Sequence, residues 1–319
     1  MSALRPETGG AGFRRAGRWL SRVLLQPEYP EVAVEVRPRA IAAVRLSREG
    51  GSLALGAAAV VDLPEGALDV ALTRPNIVDP EAFRSTLQAA LERAGALSGG
   101  PISLVLPDPA VRLVLVEGGG LKGRRAEAEE TIRFRLHKAL PFDVRGARIA
   151  WDGVRSEKTL VAVALDEVVS EYEETLESLG FQPGLVEVSS LALASLDDSA
   201  AGDRLLVNWD EGYVSFLLQR GDQPLLVRTL PGEVGAASVA RQATSTLQFY
   251  QDRLGGTRLD SVVLRAAAGP AEEAADALGP ALDAEVRLLQ PWAALGAAES
   301  TAPAQAVAAA AASALRRAA

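Results

Sequence analysis

A recurring spacing constrains this chain more than any other feature. Three strand-like runs, Val32 to Val36, Ile41 to Arg45 and Leu53 to Val61, precede a helical stretch from Asp79 to Ala94 and an apolar run from Ile102 to Leu106. The same order returns as Arg204 to Asn208, Tyr213 to Gln219, Pro224 to Leu230, a helix from about Val234 to Leu254, and Asp260 to Arg265. The first three strands start at 32, 41 and 53 in one series and at 204, 213 and 224 in the other. Two copies of one β-β-β-α-β unit follow, and neither carries the short period of a solenoid. Asp79 stands at the N-cap, Pro80 at the first helical position and Gly95 just past the end. In the later helix Val239, Ala243, Leu247, Tyr250 and Leu254 share one face, which predicts packing on a sheet.

The chain divides into an arm (1–28), a first half (29–110), an inserted α+β subdomain with its connection (111–196) and a second half with a closing helix (203–319). Within the insertion, Ala126 to Leu140 reads as a helix with Ile132, Leu136 and Leu140 in line, and Leu160 to Leu165 as a buried strand. Asp166 is expected to cap a helix that ends before Gly180. The Ala-rich end, Ala304 to Ala319, has Val307 and Leu315 eight apart and is expected to be helical.

Composition removes several function classes. The 319 residues include no cysteine and one histidine, His137, so thiolate chemistry, disulfides and multi-histidine zinc sites are excluded, and no metal site is expected. A net charge of -8 argues against nucleic acid as the main partner. With 48% hydrophobic residues but only 5% aromatics, the cores must be built from Ala, Val and Leu. The sequence has no apolar run of about 18 residues, and the expected location is cytosolic. In the arm, Arg14, Arg15, Arg18 and Arg22 share one arc of a helical wheel, and Phe13, Ala16, Trp19, Leu20, Val23 and Leu24 the opposite one. Two readings of this arm stand: an anionic membrane surface, or else docking against the protein's own body or a partner, or a flexible tail.

Three segments carry a family resemblance: ETIRFRLHKALPFDVRGARIAWD (130–152), LVAVALDEVVSEYEETLESLGFQPGLVEVSSLALASL (160–196) and TLPGEVGAASVARQATSTLQFYQ (229–251). In order and spacing they resemble PilM-type proteins of type IV pilus machines, relatives of FtsA. The resemblance implies an α/β, duplicated actin-like (ribonuclease H-like) fold with an insertion of the 1C type. It also implies a cytosolic scaffold at the inner membrane of a pilus or type II secretion platform. Its expected partners are the N-terminal tail of a PilN-like membrane protein and motor or platform components, with self-association a further expectation. The groove for the tail is expected near Val111, Leu113, Leu115, Leu140, Pro141 and Phe142.

In that family, glycine-bearing turns clasp nucleotide. Here the first turn reads Glu35, Val36, Arg37, Pro38 and Arg39, with arginine at the glycine position and a proline that lacks an amide hydrogen. The second reads Asn208, Trp209 and Asp210, or in a rival register Asp210, Glu211 and Gly212. The third reads Ala266, Ala267, Ala268 and Gly269 in place of a glycine run. No ATP cofactor and no catalysis are therefore expected. Arg37 and Arg39 are read either as phosphate donors or as solvated arginines, and Glu35 and Asp210 as magnesium ligands or exposed acids. An intact actin-like ATPase and an FtsA-like filament former are the rival classes.

Overall fold

The computed structural model describes residues 30–49, 52–118, 121, 124–151, 158–196, 202–232, 235–292 and 304–315. The arm residues Phe13, Arg14, Arg15, Arg18, Trp19, Leu20, Arg22 and Val23 lie outside this set.

The repeat is realised as two sheets of identical plan. In the first half, β1 (Val32–Val36), β2 (Ala40–Glu49) and β3 (Ser52–Asp62) form an antiparallel meander, followed by α1 (Pro80–Arg93) and β4 (Gly100–Leu106). Asp79 caps α1 by accepting from the Glu81 and Ala82 amides. After the insertion come α3 (Asp166–Ser178), β8 (Phe181–Val188) and α4 (Ser189–Ala194). The sheet order is β3-β2-β1-β4-β8, with β4 parallel to β1 and β8 parallel to β4. The second half repeats this with β9 (Asp203–Asp210), β10 (Tyr213–Arg220), β11 (Gln223–Pro231), α5 (Ala236–Leu254), β12 (Ser261–Ala266), α6 (Ala271–Leu282), β13 (Val286–Leu288) and α7 (Ala304–Leu315). Its order, β11-β10-β9-β12-β13, matches strand for strand.

The segment without a counterpart is therefore shorter than 111–196. It comprises β5 (Arg112–Glu117), α2 (Arg125–Leu136), β6 (Ala147–Trp151) and β7 (Lys158–Leu165), which form a sheet of order β5-β7-β6 with α2 on one face. The following α3 and β8 complete the first half, as α6 and β13 complete the second. Strand β8 is obscured in the sequence by Pro183 and Gly184. The register with β4 steps from Ile102↔Pro183 to Ser103↔Leu185, so Gly184 is accommodated as a bulge. Pro183 is tolerated because β8 is the edge of its sheet. Two other local expectations change. Helix α2 ends at Leu136, four residues early, and Asp166 is the first residue of α3, whose N-cap is Leu165 with no side-chain bond.

Each of the two five-stranded sheets buries both faces. Helices α1 and α3 cover one face of the first sheet through Phe83, Leu87, Val168 and Tyr172, and α5 and α6 cover one face of the second. Helices α4 and α7 lie between the halves. Val307, Ala310, Ala311 and Ala314 of α7 pack on Ala33, Ala42, Val44 and Leu46. Ala308, Ala309 and Ala312 meet Leu206, Leu217 and Val263 of the second sheet. Single methyl groups let the helix approach both sheets, so this low-complexity stretch is the seam of the molecule. Among the described residues, no helix is long and apolar enough to cross a membrane.

Candidate functional site

The two hairpin turns face each other across the seam. Strand pairing leaves Pro38–Arg39 at the tip of the first, where the Arg37 amide bonds the Ala40 carbonyl at 2.9 Å, and Glu211–Gly212 at the tip of the second. Counted from the tips, Arg37 is equivalent to Asp210 and Glu35 to Asn208. Strand β9 runs two residues past its expected end, and Gly212, at φ +78°, serves the turn itself. The parallel neighbours break the symmetry, since Val105 lies beside Glu35 whereas Arg265 lies beside Asn208.

The side chains at these positions meet one another. Arg37 is bidentate on Asp210, with Nε to Oδ2 at 3.0 Å and Nη2 to Oδ1 at 2.8 Å, and Nη2 also donates to the Ala267 carbonyl at 3.0 Å. Arg265 Nη1 donates to Asp210 Oδ2 at 2.6 Å and to Asn208 Oδ1 at 3.0 Å. Its Nη2 reaches both Glu35 oxygens, at 3.1 and 3.2 Å, and its Nε donates to the Gln305 carbonyl at the start of α7. Ser189 Oγ donates to Glu35 Oε1 at 3.0 Å. Two guanidiniums thus balance two carboxylates, and the side chains of Glu35, Asp210 and Arg265 have no solvent exposure at all. The third loop is filled as well, because a Cβ on Gly269 would sit 2.9 Å from the Trp209 ring.

Electrostatics follows from burial and pairing. Burial pushes Asp210 up, but Arg265 and Arg37 together outweigh it and hold the carboxyl below its ordinary range. At Glu35 burial prevails over Arg265, with the Asp210 charge adding to it, and the pKa is raised. Both guanidiniums are held more firmly protonated, Asp210 being the main cause that offsets their burial.

The loop candidates each have a place in this network or beside it. Glu35 and Asp210 are not exposed acids but buried counterions, and Arg37 is neither solvated nor free for a phosphate. Arg39, with a side chain 64% exposed, stands 3.9 Å from Glu211 at the mouth. Ala266 and Ala267 join the network through backbone groups, the Ala266 amide donating to Gln305 Oε1 at 3.1 Å, and Ala268 packs at the edge of the second core. A cavity of about 490 Å³ opens beside the two turns, lined in part by Arg39, Pro64, Glu65, Asp69, Gly212 and Pro231. Among the described residues, no group of three His, Asp or Glu side chains is placed to hold a metal ion.

The expected partner groove is only partly open. Val111 is buried, and Leu113 and Phe142 pack on the first-half core; Phe142 and Leu140 also pack on the insertion core. Leu115 and its cross-strand neighbour Leu160 remain half-buried, and Pro141 is exposed. Two glutamates tie α3 to its neighbours. Glu171 accepts the amides of Asn76 and Ile77, at 2.5 and 3.1 Å, and Glu173 pairs with Arg148 at 2.7 Å. Arg265 belongs to none of the three loops, and its signal in the sequence is a single charge inside SVVLRA, since such a strand demands a buried counterion.

By sequence the chain matches no family model and no curated protein. By structure it is similar to a chain of a PilM–PilN type IV pilus biogenesis complex, at TM-score 0.73 and 20% identity, covering 91% of this chain and all of that one. The cytoplasmic domain of EpsL, an inner-membrane component of the Vibrio cholerae type II secretion system, is similar at TM-score 0.50 and 12% identity, covering 75% of this chain and 83% of that one. A Bacteroides thetaiotaomicron protein with an actin-like ATPase fold is similar at TM-score 0.50 and 8% identity, covering 88% of this chain and 94% of that one. The chain therefore has the duplicated actin-like fold, with three-loop junction and insertion alike built on it.

Proposed function

We propose that this protein is a non-catalytic scaffold of a type IV pilus or related type II secretion platform, working at the cytoplasmic face of the inner membrane. It captures the cytosolic N-terminal tail of a PilN-like membrane protein. The observation that carries the non-catalytic part is the closure of all three loops by Arg37, Asp210, Arg265 and Glu35, whose donors and acceptors are used on one another. A nucleotide phosphate needs free backbone amides or uncommitted cations. Here the buried cations are committed, and the adjoining cavity sets Glu65 and Asp69 against Arg39. Likeness to the PilM–PilN complex and to the EpsL domain supports the setting and the partner class. The half-buried Leu115 and Leu160, paired across β5 and β7, would supply apolar anchors for an extended tail. Calorimetric titration with Mg-ATP is expected to give no saturable heat, and saturable binding would overturn the closed-cleft reading.

A further inference from the structure

The buried junction does not stop at the two hairpins. Arg265 Nη1 on Asn208 Oδ1 fixes which way the Asn208 amide points, and this turns Asn208 Nδ2 toward Asp108 Oδ2, 3.1 Å away. Asp108 is 1% exposed and opens the short 3-10 turn, Asp108–Ala110, that leads from β4 straight into β5 of the insertion. It also accepts from the Ser190 amide at 2.9 Å and from Ser190 Oγ at the start of α4. At the other end the insertion returns through β7, which runs without a linker into α3. One of the insertion's two attachments is thus held by a side chain of the second half, in a chain of contacts that begins at Glu35 and Asp210.

We infer that Asn208 and Asp108 are positioning residues for partner capture: through them the closed cleft sets the insertion against the first half, so the tail groove is formed without a nucleotide. The inference rests on the reading of that groove as the tail's binding place. Asn208 touches no part of the groove. Its effect passes through Asp108, the Asp108–Ala110 turn and then Leu113 and Leu115 of β5.

The test exploits the polarity of one hydrogen bond. Asn208→Asp is nearly isosteric and keeps the Arg265 contact, but it opposes a second carboxylate to Asp108. In the full chain, hydrogen exchange of amides 112–117 is expected to speed up by about tenfold or more while β1, β9 and β12 keep their protection. A PilN-type tail peptide is expected to bind about tenfold more weakly. The swapped pair Asn208→Asp/Asp108→Asn lets the new amide donate to the new carboxylate and is expected to restore both readouts. If Asn208→Asp does not fold, Asp108→Asn alone leaves a single oxygen for the Ser190 amide and Asn208 Nδ2, so one of these two bonds is lost without adding charge, and it is read in the same way. Unchanged exchange at 112–117, loss of protection spread equally over β1, β9 and β12, or no rescue by the swap overturns the inference. If the peptide binds neither wild type nor variants while exchange follows the pattern, the positioning role stands and the partner reading falls.

Discussion

Replacing Arg37 by Met is the sharpest perturbation of the junction. Met keeps length and apolar bulk but removes the guanidinium, whose side chain is 5% exposed. Asp210 then loses its bidentate partner and the Ala267 carbonyl loses its donor. What remains is one guanidinium, Arg265, for two buried carboxylates. Removing one partner of a buried pair typically costs about 3–5 kcal/mol. Asp210 keeps Arg265 Nη1 at 2.6 Å and the Glu211 amide at 2.8 Å, which puts the expected loss near the lower end, about 3 kcal/mol. For a chain of this length unfolding as one unit, that lowers Tm by about 5 °C. Urea unfolding followed by circular dichroism reads it as a lower midpoint at unchanged slope. The double variant Arg37→Met/Asp210→Leu leaves Arg265 and Glu35 balanced one to one. It is therefore expected to be more stable than Asp210→Leu alone, with a coupling of about 1–3 kcal/mol. A loss below about 0.5 kcal/mol in the single variant, or strict additivity in the double, refutes a mutually dependent buried network.

Two further outcomes can be checked independently. Because Glu35 is raised above its ordinary 4.5, the folded chain holds that proton more tightly than the unfolded one, and this group adds stability as pH falls from neutral toward 4.5. Asp210, held below 3.8, contributes stability that is present above that value and lost as pH falls through and below it. Glu35→Gln removes the first effect alone, so the stability of wild type over the variant grows on going from neutral pH to 4.5; a constant gap in urea titrations across that range contradicts the assignment. Deleting residues 1–26 is expected to leave Tm unchanged and to reduce salt-sensitive association with anionic vesicles. Indifference of the full chain to such vesicles at low salt favours docking of the arm on protein.

The duplicated plan was legible because strand starts and turn chemistry are local, and the junction was not because its bonds are long-range. Arg37 and Asp210 stand 173 positions apart, so each read as a missing glycine rather than as one half of an ion pair. The clue lay in three apolar strands that each carry charge at their cleft ends, VAVEV followed by Arg37, LLVNWD, and SVVLRA. Such charges must find one another, yet nothing in a single strand says which. Strand β8 was hidden by the Pro183–Gly184 pair, and β13, with three residues, is too short to show alternation. The alanine helix α7 gave no amphipathic face because it has none to give: residues 308–312 are buried all round.

A scaffold that holds a partner tail with its cleft closed is open to test by one titration. A labelled peptide of the N-terminal cytosolic tail of a PilN-type protein is added to the full chain and followed by fluorescence anisotropy, with and without millimolar Mg-ATP. Saturable binding with the same affinity in both conditions is expected. Binding that appears only with Mg-ATP, or that Mg-ATP abolishes, would contradict the closed cleft, and absence of binding in both would contradict the scaffold's partner.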